Sequence, residues 1–124
     1  VLLVDDEREF VQTLSERLSM REVGSHAVFD GESALRMMAD DEPEVMVLDL
    51  KMPGMDGLEV LKRTKAERPD VEVIILTGHG SEADQEECMR LGAFAYLQKP
   101  VDIEKLSDTL KRANEKVRAR KATA

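Results

Sequence analysis

Short apolar runs alternate with amphipathic segments along the chain, and this alternation leaves few folds open to it. Three runs are almost entirely apolar and rich in β-branched residues, which is typical of strands covered on both faces. They are VLLV at 1–4, VMVLDL at 45–50 and VEVIIL at 71–76. Two more mixed runs, SHAVF at 25–29 and FAYLQ at 94–98, are expected nearer the edges of a sheet. The pattern predicts five strands.

The segments between these runs have the spacing of helices. Apolar side chains share one helical face in the first two segments. These faces are formed by Phe10, Leu14 and Leu18, and by Ala34, Leu35 and Met38. Residues 57–68 and 81–91 are expected to form the third and fourth helices, and the fifth is expected to begin after Asp102 and to pack on its own sheet. Strand and helix alternating five times predict a parallel sheet with helices on both faces, a three-layer α/β domain.

Composition limits the classes of function. The 124 residues, 42% of them hydrophobic, suit one domain with a single core. A net charge of −8 argues against direct nucleic-acid binding, and no apolar run approaches the roughly 20 residues of a membrane helix. The single cysteine, Cys88, excludes an internal disulfide and favours a reduced, cytoplasmic setting. Cys88 itself is expected to be a core or interface residue of a helix.

Charged and polar residues follow four of the predicted strands, at the edge where open parallel sheets bind ligands. They are Asp5, Asp6 and Glu7 after the first strand, Asp49 after the third, Thr77 after the fourth, and Lys99 and Pro100 after the fifth. Carboxylates gathered there would repel one another unless a cation compensates, and a hard divalent ion such as Mg²⁺ suits oxygen ligands best. An aspartate beside Mg²⁺, a hydroxyl and a lysine has the parts for covalent phosphoryl chemistry, which makes Asp49 the expected nucleophile.

Four sequence blocks resemble the signature motifs of receiver domains of two-component response regulators. These blocks are VLLVDDE, VLDLKMPGMDG, ILTGHG and AYLQKP. Each is weak alone, but their order at the strand ends is specific, and the resemblance covers nearly the whole chain. It implies a flavodoxin-like, doubly wound α/β fold with a five-stranded parallel sheet in the order 2-1-3-4-5 and five flanking helices. Residues 1–124 would form one receiver domain, with 113–124 as a helix end and a candidate linker to an output domain.

The resemblance also implies the roles of the acidic residues. Asp49 matches the phosphoacceptor, Asp6 the direct Mg²⁺ ligand, and Asp5 a ligand that acts through a bound water molecule. The backbone carbonyl of Lys51 would complete the protein's share of the metal shell. The side chains of Lys51 and His79 occupy family positions that vary and tune the lifetime of the phosphoryl group.

The remaining signature positions concern catalysis and switching. Thr77 matches the hydroxyl that turns toward the phosphoryl group, and Lys99 matches the ion-pair partner that assists the transfer. Tyr96 matches the aromatic switch, and Pro100 matches a proline that the family holds in the cis form.

The implied function is a phosphorylation-activated switch. A histidine kinase or phosphotransfer domain would phosphorylate Asp49 with Mg²⁺, and the face formed by the fourth helix, fifth strand and fifth helix would then change. Cys88, Met89 and Tyr96 are the candidate residues of that face. It would control an output domain or partner protein, with transcription regulation and phosphorylation-dependent homodimerisation as candidate outcomes; no membrane or direct nucleic-acid partner is expected.

Two alternative functions stay open. Mg²⁺-dependent phosphohydrolases of the haloacid dehalogenase type also use an aspartyl phosphate, but they place a second aspartate two residues after the nucleophile, where this chain has Lys51. A degenerate receiver that docks partners without phosphorylation fits poorly with an intact acid set. The basic segment KRANEKVRARK at 111–121 is interpreted as a solvated helix end or the start of a linker.

Overall fold

The computed structural model describes residues 1–123, in which strands and helices alternate strictly. The strands are β1 (Leu2–Val4), β2 (His26–Val28), β3 (Val45–Leu48), β4 (Glu72–Thr77) and β5 (Ala95–Gln98). The helices are α1 (Arg8–Ser19), α2 (Gly31–Asp40), α3 (Gly57–Glu67), α4 (Glu82–Arg90) and α5 (Ile103–Thr123). The predicted strands and helices are therefore confirmed, with differences of one or two residues at their bounds.

All five strands are parallel and lie in the order β2-β1-β3-β4-β5, as the resemblance implied. The register pairs Leu3 with Val47, Val47 with Ile74, and Ile74 with Ala95. The two mixed runs are the edge strands, which confirms their expected places. Because every strand runs in the same direction, the residues that follow the strands meet along one edge of the sheet, the one formed by the carboxyl ends of the strands.

The core covers both faces of the sheet. Every residue of β1, β3 and β4 is buried. On one face α1 and α5 pack through residues such as Leu18 and Leu110, and on the other α2, α3 and α4 pack through Met38, Leu61 and Cys88. Full burial of one such leucine stabilises the fold by roughly 1.5–3 kcal/mol, so this two-sided core stabilises the sheet that positions the strand ends.

The last helix packs on the sheet, as expected, and its buried side includes Leu106, Ala113 and Val117. In the part of the chain that the structure describes, no helix combines the length and the hydrophobicity that a membrane span requires.

A buried carboxylate at the opposite edge of the sheet holds the end of α5. Glu72 is 2% exposed, and its carboxylate lies 2.8 Å from Arg120, 3.5 Å from Lys116 and 3.9 Å from Lys65. The interpretation of segment 111–121 as a solvated helix end missed these contacts. Lys116 and Arg120 instead attach the last turns of α5 to the amino-terminal end of β4.

Candidate functional site

The backbone of the sheet fixes the position of each residue that follows a strand. The amide of Asp49 donates a 3.0 Å hydrogen bond to the carbonyl of Val4, and the amide of Lys99 donates one of 3.0 Å to the carbonyl of Thr77. The amide of Asp5 is bonded in the same way to the end of β2. The inter-strand ladder therefore continues one residue beyond the strands and brings these side chains to one edge.

Three of the predicted metal ligands form one acidic cluster. Asp5, Asp6 and Asp49 each offer a carboxylate oxygen, and these oxygens lie within 4.8 Å of one another. Asp5 and Asp49 are 4% and 2% exposed, whereas Asp6 is exposed. The cluster is thus largely withdrawn from water and reaches solvent on the side of Asp6.

Lys99 supplies a cation to this cluster. Its ammonium donates hydrogen bonds of 2.7 Å to Asp5 and 2.9 Å to Glu7, and it lies 3.9 Å from a carboxylate oxygen of Asp49. It also lies 4.3 Å from the centre of the Phe10 ring. Burial alone would lower the pKa of Lys99, but the hydrogen bonds to Asp5 and Glu7 and the nearby negative charges raise it, so Lys99 is charged.

The acidic groups outnumber this cation. Burial raises the pKa of Asp5, and the hydrogen bonds from Lys99 and from the Glu7 amide offset only part of that effect. When ionised, the carboxylates of Asp5, Asp6, Glu7 and Asp49 leave three negative charges that the one ammonium does not balance. Hard oxygen donors with excess negative charge are the donor set that Mg²⁺ prefers, so the residues present fit that ion.

The orientation of Asp49 depends on the loop that leads into α3. One carboxylate oxygen of Asp49 accepts a 2.8 Å hydrogen bond from the amide of Leu50, and the amide of Gly57 donates a 2.9 Å hydrogen bond to the carbonyl of Leu50. A Cβ atom on Gly57 would overlap the carbonyl oxygen of Asp49 and lie 2.6 Å from Cα of Leu50. The absence of a side chain at residue 57 therefore lets α3 begin directly against the backbone of Asp49.

The residues that follow β4 lie at the same edge. Thr77 is fully buried, and its hydroxyl oxygen accepts a 3.2 Å hydrogen bond from the amide of His79. The side chains of His79 and Lys51 are both exposed. Thr77 is therefore coupled to the loop before α4, while the two predicted tuning residues face solvent.

Cys88 lies in the core, which confirms its expected burial on a helix, and its assignment to the partner-facing surface is therefore wrong. Its side chain is fully buried, and burial, with the nearby charges of Asp84 and Glu87, raises the pKa of the thiol to about 11. Met89, the next residue of α4, is 44% exposed, and Tyr96 is half-buried.

The Lys99–Pro100 peptide bond is cis, as the resemblance implied.

Two contacts of Lys99 were not predicted from the sequence. Glu7 was noted only as an acid after the first strand, although its place beside Asp6 was a usable signal. Phe10 was noted only as an apolar helix position, and no motif in the sequence indicates that its ring lies beside the ammonium.

The family of the chain follows from comparison with known proteins. A family model described as the response regulator receiver domain matches residues 1–111. The chain belongs to this family. Receiver domains are signalling switches of two-component systems, and neither alternative function is favoured by the matches or by the geometry of the cluster.

Similar proteins include chains of about this length and much longer ones. The receiver domain is 34% identical to sporulation initiation phosphotransferase F of Bacillus subtilis over 112 residues, covering 90% of each chain. It is 35% identical over 115 residues to the C4-dicarboxylate transport transcriptional regulatory protein DctD of Pseudomonas aeruginosa, covering 93% of this chain and 25% of DctD. The crystal structure of the receiver domain of NtrX from Brucella abortus matches with a TM-score of 0.86 and 31% identity, covering 92% of this chain and 97% of that one. The receiver domain thus spans nearly all of one relative and a quarter of another.

Proposed function

We propose that Asp49 accepts a phosphoryl group from the phosphohistidine of a histidine kinase or phosphotransfer domain, and that this modification switches the receiver domain. Asp49 is buried, shares a cluster with Asp5 and Asp6, and lies 3.9 Å from the ammonium of Lys99. A buried carboxylate with cationic support and access from solvent is suited to accept a phosphoryl group.

In the proposed transfer, a carboxylate oxygen of Asp49 forms a bond to phosphorus while the phosphorus–nitrogen bond of the phosphohistidine breaks. The histidine nitrogen takes the electron pair of that bond, and the ring leaves as neutral imidazole because its other nitrogen carries a proton in the reacting form. Lys99 supports the transfer by placing positive charge beside the phosphoryl oxygens. Its hydrogen bonds to Asp5 and Glu7 hold the ammonium in place for this role.

Mg²⁺ would be held by Asp5, Asp6, Asp49 and the backbone carbonyl of Lys51. When bound, this ion supplies charge that offsets the repulsion between the acidic cluster and the negative phosphoryl group. The chain contributes the buried positions of Asp5 and Asp49 and the exposed position of Asp6, which leaves the cluster open on one side.

The proposed switch begins at Thr77. In the phosphorylated protein its hydroxyl would donate a hydrogen bond to a phosphoryl oxygen. Because the same oxygen accepts the hydrogen bond from the amide of His79, movement of Thr77 would also shift the loop before α4. The face formed by α4, β5 and α5, with Tyr96 and Met89, would then change its fit to a partner.

The partners and setting are part of the same proposal. An output domain or partner protein would read this face, and phosphorylation would promote homodimerisation through it. Transcription regulation is the proposed readout because DctD is named a transcriptional regulatory protein.

We also propose a cytoplasmic location. The reactions of the domain would be limited to self-catalysed phosphoryl transfer and autodephosphorylation. Lys51 and His79 would tune the lifetime of the modification. An unchanged lifetime in both Lys51→Ala and His79→Ala would contradict this tuning role.

The proposal is tested with acetyl phosphate as the donor and Mg²⁺ in the buffer. Intact-mass spectrometry should show one added phosphoryl group on the wild type and none on Asp49→Asn. The matched control is Asp40→Asn, because Asp40 is an exposed residue at the end of α2; it should be phosphorylated like the wild type. Equal incorporation in Asp49→Asn and wild type would contradict the proposal.

A further inference from the structure

The hydroxyl of Tyr96 is buried and has no hydrogen-bond partner among residues 1–123. The Tyr96 ring packs against the core between the sheet and helices α2, α3 and α4. Burial raises the pKa of the phenol, and the charges of Cys88, Asp84 and Asp49 add smaller contributions. A buried hydroxyl without a hydrogen-bond partner costs free energy. The ring therefore depends on the space and packing around it to keep this position.

That space exists because residue 80 is glycine. A Cβ atom on Gly80 would overlap the hydroxyl oxygen of Tyr96, would lie 2.8 Å from the ring carbon that carries it, and would lie 3.0 Å from Cγ2 of Thr77. The φ angle of Gly80 is not positive, so φ at this residue does not itself require glycine. The missing Cβ therefore matters for Tyr96 rather than for the turn.

We propose that Gly80 is a positioning residue for Tyr96: it leaves open a slot beside Thr77 that the Tyr96 hydroxyl enters, and so sets the balance between a buried and an exposed position of the ring. This inference rests on the proposed function in treating Tyr96 as part of the switch. Any side chain at residue 80 would push the ring toward solvent. The surface of α4 and β5 would then change without any substitution at Asp49.

The slot also gives Thr77 a direct connection to Tyr96. Both the methyl group of Thr77 and the hydroxyl of Tyr96 lie against the same face of Gly80. A movement of Thr77 therefore changes the space that the ring occupies, and close packing transmits that change without a hydrogen bond between the two residues.

The experiment uses the fact that the chain contains one tyrosine and no tryptophan. Intrinsic fluorescence therefore reports on Tyr96 alone, and quenching by acrylamide at neutral pH measures its exposure. Gly80→Ala should increase quenching toward the value of the unfolded protein. It should also lower the apparent pKa of the phenol toward the ordinary value of about 10, measured by ultraviolet absorbance.

The matched control is Gly78→Ala in the same loop. A Cβ atom on Gly78 would approach only the side chain of Lys99, at 3.7 Å, which is ordinary van der Waals contact. Quenching and phenol titration should stay at wild-type values in this variant. Wild-type values for both measurements in Gly80→Ala would overturn the proposal.

A second comparison keeps the proposal testable if Gly80→Ala is poorly folded. Tyr96→Phe removes the oxygen that the new Cβ atom would overlap. The loss of unfolding free energy caused by Gly80→Ala should therefore be smaller in the Tyr96→Phe background than in the wild type. An equal loss in both backgrounds would overturn the proposal.

Phosphorylation is measured separately, so that the two proposals can fail independently. Gly80→Ala should take up a phosphoryl group from acetyl phosphate to the same extent as the wild type, because the acidic cluster and Lys99 are unchanged. Loss of incorporation in Gly80→Ala alone would overturn the claim that the slot acts on Tyr96 rather than on Asp49. Absence of incorporation in the wild type would contradict the proposed function, while the quenching result would still decide the role of Gly80.

Discussion

The ammonium of Lys99 donates a 2.7 Å hydrogen bond to Asp5, although the two residues are 94 positions apart in the sequence. They follow β5 and β1, which are not neighbours in the sheet. The contact therefore joins loops from the two halves of the domain, on either side of the phosphoacceptor candidate Asp49. The free energy of unfolding and the proposed phosphorylation of Asp49 should both depend on this contact.

Replacing Lys99 by methionine should destabilise the domain. The substitution keeps an apolar chain but leaves Asp5 and Asp49 buried without their cation, which should lower the free energy of unfolding by about 3–5 kcal/mol in the absence of Mg²⁺. Urea denaturation measures this loss, and added Mg²⁺ should recover part of it because the metal replaces the missing charge. Lys62→Met, on an exposed position of α3, is the control. Equal stability of the two variants would show that the Lys99 contacts do not stabilise the fold.

Mg²⁺ should stabilise the wild-type domain against unfolding. At a free concentration about ten times the dissociation constant, a ligand that binds only the folded state adds about 1.4 kcal/mol. Asp6→Asn should lose this gain with little loss of stability in metal-free buffer, because Asp6 is exposed. Thermal unfolding with Mg²⁺ and with a chelator measures both effects, and Asp40→Asn should retain the gain. If Mg²⁺ stabilises Asp6→Asn as much as the wild type, Asp6 is not a metal ligand.

Cys88 should be unreactive in the folded domain. Burial raises the pKa of its thiol from 9.0 to about 11, so the reactive thiolate is almost absent near neutral pH. An aromatic disulfide reagent at pH 8 should label the protein in urea and leave the folded protein unlabelled. The folded state binds the thiol proton of Cys88 more tightly than the unfolded state does. The contribution of Cys88 to the free energy of unfolding is therefore complete below pH 9.0 and is lost as the pH rises toward 11. Rapid labelling of the folded protein would show that the thiol is exposed at the surface of α4, and would contradict the prediction.

The Glu72 cluster should hold the last turns of α5. Glu72→Gln removes the charge that Arg120 and Lys116 contact and should lower the free energy of unfolding by about 1–3 kcal/mol. Arg120→Ala should cause a smaller loss. Arg118→Ala is the matched control on the same helix, because the Arg118 side chain is 75% exposed and lies 3.8 Å from Glu44. Chemical denaturation of the three variants gives the comparison, and equal losses for Arg118→Ala and Arg120→Ala would contradict it.

The fold was predictable because its sheet is covered on both faces. Strands such as Val45–Leu48 bury every side chain, so they appear in the sequence as uninterrupted apolar runs. Strictly alternating helices then leave few topologies. Asp5, Asp49 and Lys99 were predictable as neighbours because each directly follows a strand, and parallel strands end at one edge of the sheet.

The unpredicted features depend on contacts between residues far apart in the sequence. Glu72 interrupts an apolar strand, and only the fold shows that Arg120, 48 residues later, lies against it. Cys88 was expected in the core or at an interface, and the choice between the two depends on how α4 is rotated about its axis, which the few apolar residues of that helix do not define. The slot at Gly80 depends on the position of the Tyr96 ring, which no motif records.

The position of the phosphoryl group decides whether Asp49 is the phosphoacceptor. The domain is incubated with acetyl phosphate and Mg²⁺, the acyl phosphate is reduced with borohydride to fix its position, and the peptides are mapped by tandem mass spectrometry. Modification should occur at Asp49 alone, and none should occur when a chelator replaces Mg²⁺. Modification at another carboxylate, or none on a wild-type domain that Mg²⁺ demonstrably stabilises, would contradict this role of Asp49.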